Sequence, residues 1–157
     1  MSVYLLTGEA TGSAADLHRA LARALACQDV TPGAASVLIT LTQDAERAMA
    51  DATEFADAQP DGDPDRGVVI LLPPAATAAW PDVRYGATLW AFVRYAALAW
   101  APRRVRINLI SLGIDLVQPW SKPRGALQPV PDQDVIAAIR AIRGWPCMTG
   151  QSICLGA

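Results

Sequence analysis

Apolar residues run along this chain in short unbroken blocks, separated by segments where they recur every third or fourth position. The blocks are "VYLL" (3–6), "ASVLITL" (35–41), "VVILL" (68–72), "VRINLIS" (105–111) and "QSICL" (151–155). Each has strand length, and several are rich in β-branched residues. Between them lie four helical patterns. In 13–28, Leu17, Leu21, Ala24 and Leu25 share one face. There Ser13 is placed to cap the helix and Asp16 suits its first turn. The others are 43–58, 84–101 and 132–144, the last with Gly144 expected just past its end. Proline- and glycine-rich stretches at 59–67 and 115–133 read as loops. Alternating strands and helices, with strands apolar on both sides, predict an α/β domain whose mainly parallel sheet is covered on both faces.

Composition narrows the functional classes. With 157 residues the chain is expected to form one domain, 1–157. Hydrophobic residues make up 52% and charged residues 18%, which is incompatible with a disordered tail. A net charge of −2 and the absence of a basic block argue against nucleic acid as a partner. The helix 84–101 is interrupted by Arg84 and Arg94, so no membrane span is expected. The N-terminus lacks a signal-peptide pattern, and the expected compartment is the cytoplasm. Cys27, Cys147 and Cys154 match no zinc spacing and read as reduced core residues. Asp61, Asp63 and Asp65 have calcium-loop spacing, but Leu72 stands where the closing glutamate belongs, so no metal is expected. The arginines at 103, 104 and 106 read as a solvated approach to a strand.

Four blocks, in order, resemble the short-chain dehydrogenase/reductase family. "TGEATGSA" (7–14) is similar to its TGxxxGxG turn, with Thr7, Gly8 and Gly12 matching and Ala14 replacing the last glycine. "GVVILLPP" followed by Tyr85 keeps the family's spacing to its tyrosine. "YGATLWAFVRYAALAWAPRRVRINLISLG" (85–113) parallels its tyrosine helix and next strand. "MTGQSICLGA" (148–157) parallels its closing strand. The resemblance implies a Rossmann-like three-layer sandwich, here with a shortened sheet of about five strands. It also implies that Thr7, Gly8 and Gly12 would hold the pyrophosphate of NAD(P) and that Tyr85 would be the catalytic acid.

The rest of that chemistry is missing. The family's lysine position holds Leu89, its serine position holds Leu72 or Pro73, and no asparagine motif follows strand 35–41. A tyrosine of ordinary pKa near ~10 supplies little phenolate at neutral pH without a neighbouring cation. Lys122 is the only lysine in the chain. The family sheet also has more strands than this chain offers. If strand 35–41 takes the place of family strand four, the remainder is contiguous and strand one becomes a free edge. If it descends from strand two, the sheet has rearranged.

The expectation is therefore a degenerate, non-catalytic member with no cofactor, acting as a homodimer or as an accessory subunit. Leu89, Trp90, Val93, Leu98 and Trp100 on the apolar helix 84–101 are the expected interface, with the sheet edge as a second contact. An NAD(P)-dependent oxidoreductase with an atypical site, and a nucleotide- or pterin-like ligand binder, are the alternatives.

Overall fold

The computed structural model describes residues 3–8, 13–42, 44–60, 66–73, 80–113 and 130–156. Five strands, β1 (Tyr4–Thr7), β2 (Val37–Leu41), β3 (Gly67–Leu72), β4 (Arg106–Leu112) and β5 (Ser152–Leu155), form one sheet in the order β1-β2-β3-β4-β5. Every pair is parallel. Four helices connect them: α1 (Ser13–Ala24), α2 (Ala45–Asp57), α3 (Trp80–Ala99) and α4 (Asp132–Gly144). This is the α/β sandwich that the apolar blocks predict. Strand 35–41 lies between β1 and β3, so the sheet is contiguous and β1 is an edge.

Alternation along each strand divides the core in two. Leu5, Leu38, Val68, Ile70, Leu72, Ile107 and Leu109 face α2 and α3. Tyr4, Val37, Ile39, Leu41, Val69, Leu71, Ile110 and Leu112 face α1 and α4. Every connection steps to the next strand in the same direction across the sheet, yet α1 and α4 lie on one face and α2 and α3 on the other. The α1 and α4 crossovers therefore have the opposite hand to those of α2 and α3.

Local chemistry sets the helix limits. The Asp44 side chain accepts the Glu46 and Arg47 amides at 2.9 and 3.1 Å and caps α2. Helix α1 stops at Ala24, short of the expected 28. Ala26 takes φ 50 and the Cys27 amide donates back to the Ala22 carbonyl at 3.0 Å, a left-handed cap built on alanine rather than glycine. Helix α1 begins at Ser13. Helix α3 begins four residues earlier than the sequence pattern places it. Gly144 is the last residue of α4 with no positive φ, so it is not the helix stop the sequence suggests. The cysteines are free, but Cys147 is exposed and Cys27 and Cys154 are half-buried, so the core placement is corrected.

The arginine cluster also has a different meaning. Arg103 reaches the C-terminus of α2, donating to the Ala56 carbonyl at 2.5 Å and pairing with Asp57 at 3.1 Å. Arg106 donates to the Ile142, Arg143 and Trp145 carbonyls at the end of α4. A cation at the helix end satisfies orphan carbonyls and opposes the helix dipole. Arg104 alone is the exposed one of the three. Arg103→Ala should lower stability by about 1 kcal/mol, read as a shift of the urea midpoint without a change in slope.

Candidate functional site

In a parallel sheet, ligands are held outside the strand C-termini, where neighbouring connections leave toward opposite faces. Here that happens twice, between β1 and β2 and between β3 and β4. The first opening is the better furnished. Thr7 and Thr40 are register partners, and both side chains project to the α2/α3 face. Thr40 is wholly buried, and neither hydroxyl has a hydrogen-bond partner among the described residues. An unpartnered buried hydroxyl is costly and needs an explanation such as a water or a ligand. Beside them, the Thr42 hydroxyl accepts the Asp44 amide at 3.0 Å. The sequence reading missed Thr40 and Thr42, because a threonine inside an apolar strand is an ordinary β-former.

Gly8 closes the end of β1 with φ +109. A Cβ there would lie 2.0 Å from the Leu41 carbonyl oxygen. The absent side chain is thus demanded by contact with the end of β2, whatever else binds nearby. Gly12 and Lys122 fall outside the described residues, as do Asp61, Asp63 and Asp65. Asp44 sets a carboxylate at the N-terminus of α2, where an anionic ligand would otherwise find bare amides.

At the second opening, Leu72 is 4% exposed and sits in register with Ser111. Leu72, one of the two positions where the resemblance implies a serine, is therefore apolar and turned into the core. Ser111 is buried and donates to the Ile153 carbonyl at 3.5 Å. Asn108, buried in β4, pins the approach to β5. Its amide donates to the Met148 carbonyl and its carbonyl accepts the Gln151 amide.

Tyr85 stands in the first half of α3, 44% exposed, and no described residue hydrogen-bonds its hydroxyl. Leu89 follows one turn later at 1% exposure, packed with Leu72 and Val93 in the α2/α3 core. Arg94 is exposed and lies over the Trp90 ring at 5.3 Å. Of the described cations, none is recorded in contact with Tyr85.

The same helix corrects the expected interface. Leu89 and Val93, at 1% and 0% exposure, belong to the chain's own core and are closed to a partner. Trp90 and Trp100 are half-buried against that core, with Trp100 edge-on to Phe92 at 6.0 Å. The outward stripe is instead Thr88, Ala91, Tyr95 and Leu98, at helical spacing, with Tyr95 72% and Leu98 79% exposed. Tyr95 was left out of the expected interface because an all-apolar helix conceals which side faces the sheet. Among the described helices, none is long and apolar enough to cross a membrane. No group of three metal-ligating side chains occurs among the described residues.

No family model and no curated protein matches the chain. Solved structures do resemble it in fold. The protein lin1944 from Listeria innocua superposes with a TM-score of 0.62 at 16% identity, over 98% of this chain and 100% of that one. BdcA (YjgI) from E. coli gives 0.59 at 15% identity, over 98% of this chain and 84% of its own. At such identities the likeness concerns the fold alone.

Proposed function

We propose that this chain is a degenerate relative of the short-chain reductases that acts by association, with a second copy or as an accessory subunit of a larger complex. The observation that carries the reading is the outward stripe of α3. Two large apolar residues, Tyr95 and Leu98, stand exposed beside alanines, and Arg94 is the only charge among the exposed residues 85–99. An apolar face of this kind on a sparsely charged protein is a contact surface in search of cover. Helix α3 is about 30 Å long. A stable interface buries roughly 800 Å² on each partner, so the neighbouring α2 must contribute. Loss of chemistry supports the same reading, since the resemblance puts the lysine at Leu89 and the serine at Leu72 or Pro73, and Leu89 and Leu72 are core residues.

Light scattering across a hundredfold concentration range tests it. The wild-type chain should approach a dimeric or larger mass, or be recovered with a partner of defined mass. Tyr95→Asp/Leu98→Asp should stay monomeric and folded, because both side chains lie outside the core. A wild-type monomer that also binds no partner through this helix overturns the proposal.

A second reading, binding of a hydrogen-bonding ligand without turnover, is favoured by the buried Thr7 and Thr40 hydroxyls. A calorimetric titration with NADH and NADPH decides whether that ligand is a dinucleotide.

A further inference from the structure

We propose that the crevice between β1 and β2 holds one small uncharged group that both donates and accepts hydrogen bonds, a carboxamide or a hydroxyl, and that it excludes the pyrophosphate which the resemblance implies there. The inference deepens the ligand-binding reading above, on which it rests, and is independent of association through α3. It starts from two side chains. Thr7 and Thr40 are register partners on neighbouring parallel strands and project to the same face of the sheet. Adjacent strands lie about 5 Å apart, so one small group set between the two hydroxyls can reach both. Both oxygens are buried, and neither has a hydrogen-bond partner. The Thr42 hydroxyl, two residues further along the same face, is already engaged by the Asp44 amide at 3.0 Å. Each orphan hydroxyl brings one donor and two acceptor lone pairs. An ionised phosphate or carboxylate only accepts, and an ammonium only donates. A carboxamide or a hydroxyl does both.

Charge narrows the class further. Thr40 is wholly buried, and among the described residues none of the fully buried ones is charged. A charge of either sign carried down to the two hydroxyls would therefore enter the interior without a counter-ion. A neutral group gives up only hydrogen bonds to water, which the threonines replace. The helices that start at this end of the sheet offer an anion no compensation. Asp44 already takes the Glu46 and Arg47 amides at the N-terminus of α2, and Glu46 adds a second carboxylate in its first turn. Helix α1 carries Asp16 in its own first turn. The cations of those segments are paired, Arg47 with Asp51 and Arg19 with Asp16. Gly8, which in a phosphate-binding turn makes room for the ligand, is here closed against the Leu41 carbonyl. Thr7 is half-buried, so the pair lies nearest the surface on the β1 side.

Three probes of one shape separate hydrogen bonding from charge: acetamide, acetate and acetamidinium, with inorganic pyrophosphate and NADH beside them. The full chain is labelled at its threonine methyl groups, and the Thr7 and Thr40 resonances report arrival at the crevice. Acetamide should shift both saturably, with a dissociation constant on the order of 10 mM for so small a ligand. It should bind roughly tenfold or more tightly than acetate or acetamidinium. Thr40→Val, which keeps the shape of the side chain, should weaken acetamide about tenfold or more, and Thr7→Val serves if that variant does not fold. Pyrophosphate and NADH should leave both resonances in place. A saturable shift of the pair by pyrophosphate or NADH, or acetate binding as tightly as acetamide, overturns this inference and leaves the ligand-binding reading standing. Acetamide binding that survives the valine substitutions overturns it as well. If no probe moves either methyl at concentrations up to about 100 mM, the hydroxyls hold water alone, and the inference falls together with the reading it rests on.

Discussion

Replacing Leu89 by lysine should unfold the protein before it restores a reductase. On sequence grounds Leu89→Lys is the obvious repair, since it returns the cation that a catalytic tyrosine needs. The structure places that side chain at 1% exposure among Leu72, Val93 and Leu109 on the α2/α3 side of the sheet. An unpaired ammonium there costs about 3–5 kcal/mol, or it sheds its proton and offers Tyr85 no charge. In a chain of this size that is a fall in melting temperature of roughly 10 °C or more. Leu89→Met, which conserves volume and polarity, should cost less than about 1.5 kcal/mol and serves as the control. Thermal unfolding of the two variants, with a carbonyl-reduction assay beside it, gives the answer. A stable Leu89→Lys protein that reduces a carbonyl with NADPH would show that the helix retains a usable site.

Gly8→Ala should be almost as damaging, and for a reason that lies inside the chain. The residue holds φ +109, a conformation closed to L side chains, and its missing Cβ is 2.0 Å from a backbone oxygen of β2. Backbone cannot swing aside as a side chain does, so the end of β1 or of β2 must move. The cost should be on the order of 3 kcal/mol, measured by urea unfolding without any ligand. Thr40→Val is the informative companion. It keeps the shape and removes an unpartnered hydroxyl, so it should leave stability unchanged or raise it. If Thr40→Val is instead strongly destabilising, the hydroxyl has a partner, such as a bound water, that the crevice holds.

These two positions show how far sequence reasoning reached. Gly8 was legible as a glycine that the fold or a ligand requires, but not which of the two. The contact that decides it is with Leu41, thirty-three residues away. Leu89 was legible as a lost lysine on an apolar helix. An apolar residue on such a helix suits a partner's surface and the chain's own core equally well, so its orientation was not. Tyr95, Leu98, Leu89 and Val93 were sorted into outside and inside only when α3 settled on β4. Arg103 and Arg106 were similarly mute, because the carbonyls they bind belong to helices that are distant in sequence.

What the sequence determined by itself is the class of the domain. Period-2 strands apolar on both sides, alternating with period-3.6 helices, have few ways to bury themselves other than a parallel sheet with helices on both faces. That information is local, carried by the spacing of side chains along a few turns or a single strand. The tertiary structure decided everything that depends on which surfaces meet: which of the two expected strand arrangements leaves β1 at the edge, the opposite hands of the two pairs of crossovers, the buried threonines at the opening between β1 and β2, and the stripe that α3 leaves uncovered. Those are properties of contacts between remote segments, and a contact is specified by two sequences and the geometry between them.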